Sequence, residues 1–198
     1  MDQTTISNNR GIGIDTNPYH LVLRRSTIAS NLHGGVFSSG GVFDVTNNFV
    51  FRNGQEIDGT VGGLVLVTAM SGNRVEHNTI TRNDVRPETS PPYAGGLYCN
   101  AGASAENNLI VNNFLGNADD PRAQYVGSCV TSGSLILASD LTVHFVRPDA
   151  EPFDYHIADA QSAGVNGGIA VANPVVDDYD GDARSDGQPD VGADELRP

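Results

Sequence analysis

Apolar residues in this chain come in short, largely β-branched runs of three to five, broken repeatedly by Gly, Asn, Asp or Pro. This is strand-and-turn chemistry. No stretch keeps apolar residues at the 3.6-residue spacing of an amphipathic helix for the length a helix needs. The runs also repeat. Thr4-Thr5-Ile6-Ser7-Asn8-Asn9, Ser26-Thr27-Ile28-Ala29-Ser30-Asn31, Asn48-Phe49-Val50-Phe51-Arg52-Asn53, Asn78-Thr79-Ile80-Thr81-Arg82-Asn83 and Asn108-Leu109-Ile110-Val111-Asn112-Asn113 are copies of one phrase, at steps of 22, 22, 30 and 30 residues. Such self-similarity marks a repeat architecture, in which one unit cannot bury its own apolar face and must stack on the next.

Stacking the units as successive turns of a parallel β-helix puts Ile6, Ile28, Val50, Ile80 and Ile110 in one interior row. Asn9, Asn31, Asn53, Asn83 and Asn113 then form a second row at the following bend, each amide bonding the next. Asn suits a bend because it tolerates left-handed backbone angles and satisfies turn groups. Gly13-Ile14, Gly34-Gly35-Val36, Gly62-Gly63-Leu64 and Gly95-Gly96-Leu97 mark another corner, where the chain enters a second strand. The expected fold is all-β, a solenoid of about six or seven coils, standing roughly 30 Å tall at the spacing of paired strands.

The N-x-I-x-x-N phrase with its G-G-L/V corners resembles the right-handed parallel β-helix proteins of the pectate-lyase-like class, over about residues 4–139. The tail Asp178-Tyr179-Asp180-Gly181-Asp182-Ala183-Arg184, followed by Pro189-Asp190-Val191-Gly192-Ala193-Asp194-Glu195, resembles the C-terminal ending of large bacterial cell-surface proteins of that fold. The resemblance implies a right-handed coil in a secreted or cell-surface setting, with polysaccharide as partner. Such folds host lyases, hydrolases, esterases, epimerases and adhesins, so the fold alone does not choose a function. Two readings stand. One is an extracellular module that binds or processes polysaccharide, as a lyase or a carbohydrate-active hydrolase or esterase if it is an enzyme. The other is a non-catalytic structural or adhesive module of a bacterial cell-surface protein.

Residues 1–143 read as the coils and 144–198 as a C-terminal capping segment, because the repeat stops after Leu135-Ile136-Leu137. Phe49, Phe51, Leu109 and Val111 flank the interior row and should point outward. An apolar stripe of this kind is either covered, here by the tail, or used as a carbohydrate-facing platform. Residues 2–10 read as the last strand of an incomplete turn, an open edge that invites self-association or an upstream coil. No charged segment and apolar core precede it, so we expect the export signal to be absent from this chain.

Charge narrows the partners. The formal net charge of −13 disfavours nucleic acid and anionic membranes, and no window of about 20 apolar residues suggests a membrane span. The chain has no Lys, so a lyase base would have to be Arg, and Arg52 and Arg82 share one repeat position. Cys99 and Cys129 lie one 30-residue step apart, as a disulfide or as a buried thiol pair.

Loops hung on a rigid stack are where function is placed. The inserts at 84–94 and 116–124 carry Asp84, Glu88, Asp119 and Asp120 as candidate catalytic carboxyls, with Arg82, Arg86, Tyr93 and Arg122 to grip the substrate. Glycoside hydrolysis needs two carboxyls about 5–10 Å apart. In the tail, Asp178, Asp180, Asp182 and Asp186 alternate around Gly181, a spacing that can wrap Ca²⁺. The alternative is a hydrogen-bonded cap whose carboxylates take backbone N–H groups and pair with Arg184. His20, His33, His77, His144 and His156 show no paired metal spacing and are expected to be structural.

Overall fold

The computed structural model describes residues 1–17, 19–55, 61–67, 70–85, 94–100, 103–116, 123–184 and 187–197. Its first sheet holds one strand from each copy of the phrase: β1 (Thr5–Ser7), β4 (Thr27–Ala29), β7 (Phe49–Phe51), β10 (Thr79–Thr81), β14 (Leu109–Val111) and, from a sixth coil, β17 (Leu135–Leu137). All pair in parallel, with Ile6 opposite Ile28, then Val50, Ile80, Ile110 and Ile136 in turn. Alternation along a strand sends this central residue inward and its neighbours outward. Ile28, Val50, Ile80 and Ile110 are accordingly sealed from solvent.

The second sheet runs β2 (Ile12–Thr16), β5 (Gly34–Ser39), β8 (Leu64–Val67), β12 (Leu97–Cys99) and β16 (Tyr125–Gly127), entered at the glycine corners as expected. The third runs β3 (His20–Arg24), β6 (Val42–Thr46), β9 (Asn73–Glu76) and β13 (Ala103–Ser104). Leu23, Phe43, Val45, Leu64, Leu66 and Leu97 fill the space between the three. The glycine corner is tight because successive coils touch there. A Cβ on Gly63 would lie 2.8 Å from the Gly96 carbonyl and 2.9 Å from Asn83 Nδ2. Cys99 and Cys129 form a disulfide with 5.9 Å between their Cα atoms, which settles the open alternative.

The Asn row forms the expected ladder, with one refinement. Asn31 donates both its backbone N–H and its Nδ2 to Asn53 Oδ1, Asn53 does the same to Asn83, and Asn83 to Asn113. Gln124 Oε1 receives the last rung. The left-handed residue is not the ladder Asn but the one before it: Asn8, Ser30, Arg52, Arg82 and Asn112 have φ of 54–59°. That step turns the chain and aims the following amide into the corner. A second ladder, not anticipated from the sequence, stands at the other end of the same strands. It runs Ser26, Asn48, Asn78, Asn108 and Ser134, again preceded by left-handed residues, Arg25, Asn47, His77 and Asn107 among them. Each buried rung contributes roughly 1 kcal/mol net, and considerably more is lost if one partner is removed.

Beyond the coils, β18 (Phe145–Arg147) and β19 (Asp154–Ile157) form an antiparallel pair. Phe145, Tyr155, Ile157, Val191 and Ala193 pack on Phe49, Phe51, Leu109 and Val111, so the outward stripe is covered rather than presented as a platform. The cover lies along the flank of the stack. At the last coil Ile136 remains 37 % exposed.

Candidate functional site

The cover leaves part of the flank open. Beside the first coils a groove of about 480 Å³ runs between Thr5, Ser7 and Thr27 on the first sheet and Glu151, Pro152 and Phe153 before β19. Phe153 is fixed from two sides. Its ring meets Phe51 edge-on with centroids 6.3 Å apart, and the Arg52 guanidinium lies 4.0 Å from its centroid. Arg147 Nε donates to the Pro152 carbonyl at 2.7 Å and steadies the same loop. Hydroxyls on one wall, an aromatic ring and a carboxylate on the other, suit a hydroxyl-rich ligand with apolar C–H faces.

The residues expected at a loop-built site are distributed differently. Asp84 begins β11 (Asp84–Val85), which pairs with β15 (Phe114–Leu115); it is buried and accepts the Gly116 N–H at 3.2 Å. Arg82 turns toward the C-terminal segment, reaching Asp140 at 2.8 Å, Asp149 at 2.5 Å and the Pro148 carbonyl at 3.0 Å. Glu88, Asp119, Asp120, Arg86, Tyr93 and Arg122 lie outside the described residues.

In the tail, Asp178 is buried and its two oxygens accept the N–H groups of Asp182 and Glu195. Asp182 pairs with Arg197. Arg184 is the hub: its guanidinium, 1 % exposed, pairs with Glu195 at 2.8 Å and donates to the carbonyls of Asp177, Gly192 and Ala193. Asp190 accepts the N–H groups of Asn166 and Leu196. These contacts are of the kind expected of a hydrogen-bonded cap. Asp186 lies outside the described residues.

Asp180 instead reaches across to β19, where His156 Nε2 lies 3.3 Å from its Oδ2. His156 Nδ1 bonds Asp154 Oδ1 at 2.6 Å, and the buried Asp194 completes the group. Burial opposes a charge on His156, but the hydrogen bond to Asp154 and the charges of Asp194, Asp154 and Asp180 outweigh it and hold its pKa above the usual range. Burial pushes Asp194 up.

Over residues 1–143 the chain matches the family model described as the right handed beta helix region. The chain belongs to the right-handed β-helix family. Among curated proteins and among solved structures, nothing matches it. In this β-helix the matched span takes in the coils that carry the two ladders, and the hairpin whose Glu151, Pro152 and Phe153 wall the groove follows it.

Sequence reading missed the groove's second wall and the histidine group for the same reason. Neither repeats. The one local sign was Asp154-x-His156, which alternation places on one side of a strand. Asp180 and Asp194 come to it only through the path of the tail.

Proposed function

We propose that this β-helix module binds a neutral polysaccharide in the flank groove, without cleaving it, in a secreted or cell-surface setting. The observation that carries the reading is the open groove itself, with Thr5, Ser7 and Thr27 facing Glu151 and a braced Phe153. Its volume lies in the range of small-ligand sites, about 300–1,000 Å³. A carboxylate in the groove and a net charge of −13 repel uronates, which favours neutral sugars over acidic ones. The sequence-predicted catalytic residue that is described, Asp84, is buried against Gly116, which supports binding over chemistry. The Cys99–Cys129 disulfide supports an oxidising compartment.

The test is affinity electrophoresis of the full chain through neutral glucans, mannans and xylans, with pectin as the acidic arm and released reducing ends as the measure of cleavage. Retardation by a neutral glycan, lost in Phe153→Ala and unaccompanied by new reducing ends, is expected. Retention by none of them would favour the structural or adhesive reading, which the two buried ladders and the covered flank also suit. Cleavage of any of them would return catalysis to the loops at 84–94 and 116–124.

A further inference from the structure

We propose that His156, Asp180 and Asp194 form a binding site for a divalent ion of the Zn²⁺ or Mn²⁺ class, which ties the tail to the flank of the coils. The nitrogen of the group points to a ligand that carboxylates alone would not specify. His156 Nδ1 is committed to Asp154 at 2.6 Å, which leaves Nε2 as the free ring nitrogen. A carboxylate on the far nitrogen is how metal-binding imidazoles are commonly oriented. Nε2 is shut off from solvent and completes no hydrogen bond, although Asp180 Oδ2 lies only 3.3 Å away. One oxygen of Asp194 accepts the Ile157 N–H at 2.7 Å, fixing that carboxylate in place.

One ligand atom from each of His156, Asp180 and Asp194 lies within 4.8 Å of the others. A tetrahedral ion about 2.0–2.2 Å from each donor needs them roughly 3.5 Å apart, which small side-chain rotations supply. Asp180 is about half exposed, so the remaining coordination position faces water. Phe49 and Tyr179 close the other sides, with ring centroids 4.9 and 5.7 Å from the imidazole.

Charge separates a metal from a proton. Among the described residues no arginine forms an ion pair with Asp154, Asp180 or Asp194. A protonated His156 would offset one of three carboxylates, whereas a divalent ion on a neutral imidazole offsets two. One imidazole nitrogen with two carboxylates is a donor set for Zn²⁺ or Mn²⁺, since Ca²⁺ takes oxygen ligands. The site shares Asp180 with the calcium loop expected from the sequence but uses His156 and Asp194 in place of Asp178, Asp182 and Asp186. It does not depend on the glycan reading.

The experiment is calorimetric titration of chelator-stripped full-length chain with Zn²⁺ and, separately, Mn²⁺ and Ca²⁺, with thermal melts at each saturation. Saturable one-to-one binding of Zn²⁺ or Mn²⁺ and a raised melting temperature are expected. Asp180→Asn and His156→Gln should each weaken binding at least tenfold, Asp154→Asn by about 10–100-fold as an orienting partner does, and Asp182→Asn not at all. Asp180 is exposed enough for its variant to fold even if His156→Gln does not. Absence of Zn²⁺ and Mn²⁺ binding by the parent overturns the site. So does binding that survives Asp180→Asn, which would place the ion on other histidines, or Ca²⁺ binding lost in Asp182→Asn, which would place it in the tail loop.

Discussion

The coils and the C-terminal segment are held by opposite means. In the coils one set of contacts recurs: an interior aliphatic, a left-handed corner and an amide rung, repeated from Asn31 to Asn113 and again from Asn48 to Asn108. Among the described residues of the C-terminal segment no contact recurs. Arg184 and Tyr179, and Arg82 reaching in from the coils, each hold a different set of partners, with Asn47, Thr27 and Asp140 among them over 50 residues away in sequence. A stack built from repeats tolerates variation in its loops but not in its rows. The segment built from single contacts depends on a few side chains.

The largest effect should come from breaking an interior row. Ile80→Asp places an unpaired charge among Val50, Ile110 and Leu97, at a cost of several kcal/mol, and cooperative thermal unfolding should be lost. Next comes the hub of the segment. Arg184→Met removes a buried cation and should cost about 3–5 kcal/mol in urea unfolding, with binding of an apolar dye to the exposed Phe49 and Phe51 stripe. A variant as stable as the parent would show that the tail is not organised around this residue.

A single rung should cost less. Asn83→Ala leaves the Asn53 donors and the Val50 carbonyl without their partner, worth about 2–4 kcal/mol in the same measurement. Asn83→Asp keeps the shape and the acceptor but loses the donors. It should destabilise too, and if it does not, shape rather than hydrogen bonding sets the row.

The smallest effect is a slope. Burial first, and then the charge of Arg184, push the pKa of His77 down to about 3, so its imidazole stays neutral in the folded chain. An unfolded imidazole titrates near 6.5 and binds a proton below that pH that the folded chain refuses. The contribution of His77 to stability should therefore fall as pH drops from about 6.5 toward 5, by up to about 1.4 kcal/mol per unit, and stay level above that window. His77→Gln should flatten this part of the profile.

The same contrast decides what the sequence disclosed. The interior row and the first Asn ladder were legible because they repeat at fixed steps, and the glycine corner because no side chain fits where coils touch. The second ladder escaped because its ends are Ser26 and Ser134, which break the Asn pattern while supplying the same acceptor. The left-handed corner was placed one residue late, because Ser30, Arg52 and Arg82 carry no sequence sign of positive φ. That the apolar stripe needs a partner was legible from alternation. Which residues supply it was not, since Tyr155, Val191 and Ala193 reach it through single long-range contacts. Arg82 was singled out by the repeat position it shares with Arg52, and nothing in the sequence signalled that its guanidinium holds Asp140 and Asp149.

Native-state hydrogen exchange tests most directly whether the coils and the segment are held separately. In low denaturant, the amides of β19 and those of Asp182 and Glu195 should open as one unit, at a lower free energy than the amides of β7, β10 and β14. The rung amides of Asn48, Asn53, Asn78 and Asn83 should exchange only on global unfolding. Opening of β10 before β19, or a single free energy for both sets, would contradict the account.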